Sequence, residues 1–213
     1  MSTFDIGNYL ERYALNCSIS QQHRNKINIQ AMNILETLAN SDSPILICAS
    51  GSAYDLRLVQ ETMNLSCQKK IILNDIDSNA LKFSKTRLTN KFLENVEFDN
   101  GNVISTLKNI HKKHDVFSLI LFGGLFDYLS DKQIAFSLKA SYDQLQKGGK
   151  ILFTNIALNN PFKDWIEICG NWELIERSEQ DNLNLCEMAG VPLEKVSQYR
   201  DYTGLTNIVE IVK

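Results

Sequence analysis

Ile45-Leu-Ile-Cys-Ala-Ser-Gly-Ser-Ala53 and Ile71-Ile-Leu-Asn-Asp-Ile-Asp77 are two short apolar runs that end in small or acidic residues. Each run is followed by a helical pattern, and this order is typical of a parallel β-α-β unit. Small residues in the first turn let a ligand approach the backbone. The acidic residue that ends the second strand accepts hydrogen bonds from ribose hydroxyls. The two stretches therefore predict a nucleoside ligand at the carboxyl edge of a parallel sheet.

The rest of the chain extends this unit into a larger sheet. Five parallel strands are predicted at 45–49, 70–74, 96–98, 115–122 and 151–155. Two final strands, over 196–203 and 206–212, are separated by only two residues. A parallel pair needs a long crossover, so these last strands are expected to form an antiparallel hairpin.

Two helices, over 3–17 and about 20–40, precede the first strand. We therefore divide the chain into an N-terminal helical cap, residues 1–41, and one compact unit, residues 42–213. Within that unit a single helix is expected from Ser78 to Lys91. The segment Lys147-Gly-Gly-Lys150 is expected to form a turn before the fifth strand.

Composition limits the class of protein. The chain has 213 residues, of which 44% are hydrophobic, and this suits one α/β domain with a sizeable core. A net charge of −3 argues against a nucleic-acid substrate. No signal peptide is expected, because no basic start is followed by an apolar core. No membrane span is expected, because no apolar run reaches about 18 residues. The five cysteines are widely spaced, which argues against zinc or a disulfide framework and fits a reducing cytoplasm. Nothing in the sequence indicates an oligomeric state.

Five parallel strands followed by an antiparallel hairpin resemble the class I S-adenosylmethionine-dependent methyltransferases, over roughly residues 42–213. The resemblance implies an α/β, Rossmann-like fold, with a seven-stranded, mostly parallel, doubly wound sheet whose last strand is antiparallel. It also implies S-adenosyl-L-methionine as the cofactor and a small molecule as the methyl acceptor.

A narrower resemblance comes from the C-terminal half. Leu125-Phe-Asp-Tyr-Leu129 and Asn171-Trp-Glu-Leu-Ile-Glu-Arg177 are similar to segments of the methyltransferases of 3-hydroxypalmitate methyl ester biosynthesis. That group also has a Gly-Asn-Phe strand end, where this chain has Thr154-Asn155-Ile156. The narrower resemblance implies a fatty acid or another carboxylic acid as acceptor.

The first turn is a degenerate form of the glycine motif of these methyltransferases. Ala49, Gly51 and Ala53 stand where three glycines are usual, and Ile47 replaces the acidic residue of the first strand. Gly51 still allows a backbone approach to the amino-acid end of the cofactor. The cofactor-binding residues that the resemblance implies are Ala49, Ser50, Gly51, Asp75, Ile76, Asn102 and Gly123.

Two of these residues have competing interpretations. Asp75 matches the carboxylate that binds the ribose hydroxyls, whereas Asp77 or Ser78 is the expected cap of the following helix. Asn102 stands where an aspartate usually meets adenine, and its side-chain oxygen can accept from the adenine amino group. Asp99 or Asn100 could serve adenine instead.

The acceptor is expected to lie beyond the fourth and fifth strands. Asp127 and Tyr128 follow the fourth strand and Asn155 ends the fifth, so these three residues are the catalytic candidates. The alternatives are a helix-capping aspartate and a packed tyrosine. A carboxylate acceptor needs no general base because it is ionised at neutral pH. For a hydroxyl or an amine, Asp127 or Tyr128 could remove the proton.

Two arginines are candidates for substrate binding. Arg177 could clamp a carboxylate in a bidentate manner, or it could pair with a nearby acid. Arg24, in the N-terminal helices, could reach the methionine carboxylate or the substrate, or it could lie on a solvated helix face.

No metal site is predicted. His111 and His114 are three residues apart, but no carboxylate or cysteine cluster accompanies them. Two other functions stay open: a module that senses S-adenosylmethionine or its product without catalysis, and a nicotinamide-dependent dehydrogenase. The degenerate turn motivates the first. The absence of a full G-x-G-x-x-G motif and the final hairpin argue against the second.

Overall fold

The computed structural model describes residues 6–62 and 69–213, and they contain a seven-stranded sheet. The strands are β1 (Ile45–Cys48), β2 (Ile71–Asp75), β3 (Val96–Asn100), β4 (Phe117–Phe122), β5 (Leu145–Ile156), β6 (Val196–Arg200) and β7 (Thr206–Val212). Their order across the sheet is β3-β2-β1-β4-β5-β7-β6. The first five strands pair in parallel, and β7 is antiparallel to both β5 and β6. The predicted fold class is confirmed.

Helices cover both faces of this sheet. They are α1 (Ile6–Asn16), α2 (Ser18–Asn40), α3 (Tyr54–Thr62), α4 (Ser78–Arg87), α5 (Asn90–Leu93), α6 (Val103–Asn109), α7 (Asp131–Gln144), α8 (Lys163–Gly170) and α9 (Glu179–Met188). Short 3-10 turns lie at Ile110–Lys112, Leu125–Asp127 and Leu193–Lys195. Residues 3–5 and 63–65, which we predicted to be helical, lie outside the described residues.

The sheet separates two apolar cores because successive strand residues face opposite sides. Leu46 and Cys48 of β1 belong to the core under α6, α7 and α9. Ile45 and Ile47 belong to the core under α2, α3 and α4. Ile34 of α2 is completely buried in this second core, so α2 is one of the helices that flank the sheet.

Two local predictions are wrong. The helix expected over 78–91 is broken at Leu88, whose backbone is extended (φ −97°, ψ 143°) and whose side chain is buried. The expected turn at 147–150 is part of β5, where the register against β4 shifts. Gly148 has a φ of +77°, and a β-carbon on Gly149 would lie 2.9 Å from the Phe117 carbonyl oxygen. The two glycines thus form a bulge.

The connection between β6 and β7 is longer than predicted. Asp201 lies outside the strands, and its carboxylate accepts hydrogen bonds from the amides of Thr203, Leu205 and Thr206. This carboxylate organises a five-residue turn where the sequence suggested two residues. The antiparallel pairing of the two strands is as predicted.

Within residues 6–62 and 69–213, no helix is both long enough and apolar enough to cross a membrane.

Candidate functional site

The turn after β1 has the backbone of a glycine-rich loop, although two of its three key positions are alanines. Ala49, Gly51 and Ala53 all have left-handed φ angles, of +51°, +53° and +48°. Glycine adopts this region freely, whereas it costs other L-residues about 1–2 kcal/mol. The degenerate sequence therefore keeps the expected loop conformation, at the expense of strain at the two alanines.

Asp75 ties this turn to the end of β2. Its Oδ2 accepts a hydrogen bond from the Gly51 amide (2.7 Å), and its Oδ1 accepts one from the Asp77 amide (2.9 Å). Each carboxylate oxygen has a second lone pair that can accept from a ligand hydroxyl. Asp77 accepts from the Asn79 amide at the start of α4, so it is the helix cap that one interpretation of the sequence predicted.

The three candidates for adenine binding all make local hydrogen bonds. Asn102 caps α6 by accepting from the Ile104 amide (2.9 Å). Asn100 donates to the carbonyls of Asp75 and Ile76, while Asp99 accepts from Asn74 and Thr106. The Ile76 side chain is 72% exposed at this rim of the sheet. An adenine contact for Asn102 stays a prediction.

A cleft of about 200 Å³ lies between α2 and the carboxyl ends of β1 and β4. The turn after β1 lines the cleft with residues 49–52, and Gly123, which directly follows β4, lines it as well. α2 contributes His23, Lys26, Ile27 and Gln30, and α3 contributes Tyr54 and Asp55. Four of the predicted cofactor residues, Ala49, Ser50, Gly51 and Gly123, thus meet in one cleft. Asp75 lies directly behind Gly51.

Polar groups in this cleft have no hydrogen-bond partner among the described residues. Gln30 Nε2 and Ser50 Oγ are buried and unpaired. Lys26 is only 8% exposed, yet it makes no hydrogen bond or ion pair within the described part of the chain. Because an unpaired buried polar group costs about 1–3 kcal/mol, these three groups point to a ligand that pairs with them.

Other polar residues on the same buried side of α2 are paired. Gln22 donates to Thr206, and Asn25 donates to Asp201 over 2.7 Å. Both contacts hold α2 against the β6–β7 hairpin. The absence of partners at Lys26 and Gln30 is therefore local to the cleft and is not a property of the whole helix.

Two adjacent glycines let the α2 side chains approach the end of β4. A β-carbon on Gly123 would lie 2.5 Å from Gln30 Nε2, and one on Gly124 would lie 2.7 Å from Lys26 Nζ. Gly124 also has a φ of +102°. A side chain at either position would displace the end of Gln30 or Lys26, and the left-handed φ of Gly124 favours glycine there in addition.

Beyond β4 and β5, the catalytic candidates Asp127 and Asn155 are in direct contact. Asp127 Oδ1 accepts from Asn155 Nδ2 (2.6 Å) and from the Ile156 amide (2.7 Å). Burial raises the pKa of Asp127 to about 6, although the positive charge of Lys26 opposes the shift. Asp127 is therefore a stronger base than an ordinary aspartate and is still mostly ionised at neutral pH.

Arg177 holds this cluster together. Its five N–H groups donate to the carbonyls of Phe126 and Leu129, to Asn155 Oδ1 and, twice, to Asp131 Oδ1. The side chain is 5% exposed. No N–H is left for a substrate carboxylate. These contacts correct the clamp interpretation and favour the alternative, in which Arg177 pairs with a nearby acid.

Tyr128 lies at the rim, half exposed, and its hydroxyl accepts a hydrogen bond from Trp172 Nε1. A tyrosine is protonated at neutral pH, and burial raises the pKa of Tyr128 further from that range. This environment makes Tyr128 a weaker candidate than Asp127 for removing a proton.

Arg24 lies on the exposed face of α2 and donates to the Leu15 carbonyl in α1 (2.9 Å). The residues of this helix that line the cleft include Lys26 and Gln30, both of which sequence reasoning missed. A signal was available, since residues 26, 30, 34 and 38 form one i, i+4 stripe of the helix. Polar residues that continue an apolar stripe towards the strand ends mark a binding face.

In the described ranges, no group of three or more His, Cys, Asp or Glu side chains is arranged to hold a metal ion. The absence of a metal from the reaction stays a prediction.

The chain matches, over residues 39–203, the model of a family described as "Methyltransferase domain". No curated protein sequence matches this chain. Solved structures with the same fold include a possible exported protein from Bordetella parapertussis (TM-score 0.72, 12% identity, 92% of this chain and 69% of that chain). Another is the magnesium protoporphyrin IX methyltransferase from Synechocystis PCC 6803 with bound SAH (TM-score 0.63, 8% identity, 92% and 86%).

An O-methyltransferase family protein from Burkholderia thailandensis is also similar (TM-score 0.61, 11% identity, 95% of this chain and 61% of that chain). This chain thus spans less than two thirds of the length of several of the structures that it resembles.

Proposed function

Because the chain belongs to this methyltransferase-domain family, we propose that it transfers a methyl group from S-adenosyl-L-methionine to a small-molecule acceptor. The observation that carries the proposal is the turn after β1. Three left-handed residues at alternate positions, 49, 51 and 53, with the Gly51 amide anchored on Asp75, shape its backbone under a cleft that contains unpaired polar groups.

The residues around this turn fit the parts of the cofactor. Asp75 has lone pairs to accept from two ribose hydroxyls, and the exposed Ile76 offers apolar surface to the base. Ser50 and Gln30 offer unpaired polar atoms to the amino-acid end. Asn102 keeps its proposed contact with adenine through its second lone pair.

S-adenosylmethionine carries its methyl group on a positively charged sulfur. That sulfur departs readily as a neutral sulfide when the methyl group is transferred. The protein therefore contributes mainly alignment and exclusion of water. Asp127, Tyr128 and Asn155 are the proposed acceptor-side residues, because groups at the carboxyl ends of neighbouring strands share one crevice. Arg177 acts on them as a positioning residue by fixing Asn155, which in turn fixes Asp127.

The alternative of a non-catalytic sensor loses its motivation in this structure. That alternative came from the degenerate glycine motif, and the alanines at 49 and 53 adopt the glycine conformation. Asp127, held by two hydrogen bonds with one oxygen unpaired, is able to take the proton of a hydroxyl or amine acceptor, and mere binding has no use for such a base. We therefore favour the enzyme.

Asp75→Asn tests the donor site. Asparagine keeps the size of the side chain but removes the charge that strengthens hydrogen bonds from ribose hydroxyls, and such bonds contribute about 1.5–3 kcal/mol. We expect S-adenosylhomocysteine to bind roughly tenfold to a hundredfold more weakly in calorimetric titration. Asp77→Asn, which changes the neighbouring helix cap, is the matched control.

An unchanged dissociation constant for Asp75→Asn would remove Asp75 from the site. Thermal melts with S-adenosylhomocysteine and with NAD separate the methyltransferase from a dehydrogenase. Stabilisation by NAD alone would contradict the proposal.

A further inference from the structure

Lys26 and Asp127 come from distant parts of the chain and approach the same side of Gly124. A β-carbon on Gly124 would lie 2.7 Å from Lys26 Nζ and 3.5 Å from Asp127 Oδ2. The two charged atoms are therefore separated by no more than the sum of those distances. They nevertheless do not form an ion pair, for which the two atoms would have to lie within 4.0 Å.

Each group has an unused hydrogen-bonding capacity that faces this gap. Both hydrogen bonds to the Asp127 carboxylate go to Oδ1, and Oδ2 accepts none from the described residues. Lys26 lines the cleft and likewise donates to no described residue. The ammonium and the carboxylate oxygen are thus too far apart to pair directly, yet close enough for one hydrogen-bonding oxygen to bridge them.

We propose that the methyl acceptor is a phenolic or enolic hydroxyl, whose oxygen lies between Lys26 Nζ and Asp127 Oδ2. This inference rests on the function proposed above and names its substrate class and a further catalytic residue, Lys26. A hydroxyl donates one hydrogen bond and accepts others, so it satisfies the carboxylate and the ammonium at the same time.

Other acceptor groups fit the pair less well. A carboxylate has no proton to donate to Asp127 Oδ2, and it would bring a second negative charge next to that oxygen. An amine nitrogen has one lone pair, and a hydrogen bond from Lys26 would occupy the pair that must attack the methyl group. A hydroxyl oxygen can accept from Lys26 and still attack with its other lone pair.

The chemical step balances with the groups named. The acceptor oxygen forms a bond to the methyl carbon, and the bond from that carbon to the donor sulfur breaks with its electron pair going to sulfur. The hydroxyl proton passes to Asp127 Oδ2. Lys26 keeps its protons and stabilises the negative charge that develops on the oxygen.

The electrostatics of the pair support these roles. Burial raises the pKa of Asp127 to about 6, which brings this base closer to the pKa of a phenol near 10. Burial lowers the pKa of Lys26, and the neighbouring charge of Asp127 opposes that change. Aliphatic alcohols, which are far weaker acids than phenols, are poor substrates for such a base.

The position of the transferred methyl group tests the substrate class. The holoprotein is incubated with donor labelled in its methyl group and with phenolic acids, namely 4-hydroxybenzoate, 3,4-dihydroxybenzoate and 4-hydroxycinnamate, together with a small-molecule cell extract. Alkali releases labelled methanol from methyl esters and leaves methyl ethers intact. We expect label that resists alkali, and label released as methanol would overturn the inference while the proposed function stands.

Variants test the role of Lys26. Lys26→Met should lower methyl transfer by about 10²–10³-fold, which is typical of losing one donor to a developing oxyanion, and should leave the affinity for S-adenosylhomocysteine within about threefold of wild type. Lys139→Met removes an exposed lysine from α7 and should change neither quantity. A loss of affinity of tenfold or more in Lys26→Met would mean that Lys26 binds the donor, and would overturn its assignment to the acceptor.

A binding measurement gives a readout that is independent of turnover. At pH 6, 4-nitrophenol is largely protonated and colourless, and its phenolate is yellow. Wild-type protein saturated with S-adenosylhomocysteine should increase the yellow absorbance, and Lys26→Met should not. Equal absorbance with both proteins would contradict the inference. If wild type binds no S-adenosylhomocysteine and transfers no label, the proposed function fails, and this inference fails with it.

Discussion

Two polar clusters, each built around a buried cationic side chain, lie at the carboxyl edge of the sheet, and they differ in how completely their groups are paired. The first cluster, Arg177 with Asn155 and Asp131, uses every N–H of the guanidinium inside the protein. The second cluster, Lys26 with Gln30 and Ser50, has no hydrogen bonds from its side-chain nitrogen and hydroxyl groups to the described residues. Asp127 lies between them, with one oxygen in each environment.

The difference separates architecture from binding. A paired buried network is complete without a ligand, and removing a member exposes its partners to the cost of desolvation. An unpaired network is unfavourable until a ligand completes it. The first cluster is therefore expected to determine stability, and the second is expected to determine function.

The largest expected effect is on the paired cluster. Arg177→Met leaves the carbonyls of Phe126 and Leu129 and the Asn155 oxygen without donors. Each of these buried acceptors left unpaired costs about 1–3 kcal/mol, so we expect a loss of at least about 3 kcal/mol, which urea denaturation measures. Arg57→Met, at a partly exposed i, i+4 ion pair, is the matched control and should change stability by less than about 1 kcal/mol. A small loss in Arg177→Met would remove the distinction between the clusters.

A pH-dependent effect sharpens the picture of the cleft. Burial raises the pKa of Asp55 from 3.8 to about 6, so the folded state holds this proton more tightly than the unfolded chain does. The resulting stabilisation is complete below about pH 4 and is lost as the pH rises through 6. Asparagine can still accept from the Leu56 amide and does not ionise.

Relative to wild type, Asp55→Asn should therefore gain about 2–3 kcal/mol of stability between pH 4 and pH 7. Denaturant titrations of both proteins across this range give the difference directly. Parallel stability curves for the two proteins would show that burial does not perturb this carboxyl group.

How far the sequence predicts such a site depends on whether the signal is local. The order of strands, the loop after β1 and the end of β2 are encoded in short stretches, so the fold and the positions of Gly51 and Asp75 could be predicted. The partners of Arg177 come from two other segments, around 126–131 and at 155, and no local pattern shows that its donors are saturated. Lys26 resembles a solvated helical lysine until tertiary packing buries it.

The unpaired cluster should respond to mutation in the opposite sense to Arg177. Lys26→Met removes a buried charge that has no hydrogen-bond partner in the described structure and replaces it with an apolar side chain of similar length. Such replacements are often neutral or stabilising, so the free energy of unfolding at pH 7 should stay within about 1 kcal/mol of wild type. A loss as large as that of Arg177→Met would show that Lys26 is structural, and the comparison would fail.

The smallest expected effect concerns the turn after β1, which contributes Ser50 to the unpaired cluster. Ala49 and Ala53 have the same left-handed φ, but Ala49 is exposed and Ala53 is 1% exposed. Glycine relieves about 1–2 kcal/mol of conformational strain at either position and adds about 0.5–1 kcal/mol of backbone entropy to the unfolded chain. Ala49→Gly should therefore stabilise the protein by about 0.5–1 kcal/mol, seen as a rise in melting temperature of about 2 °C.

Ala53→Gly is the matched control. It loses a buried methyl group worth about 0.8 kcal/mol, so its melting temperature should stay close to that of wild type. Destabilisation by Ala49→Gly would mean that the turn carries no strain at that alanine.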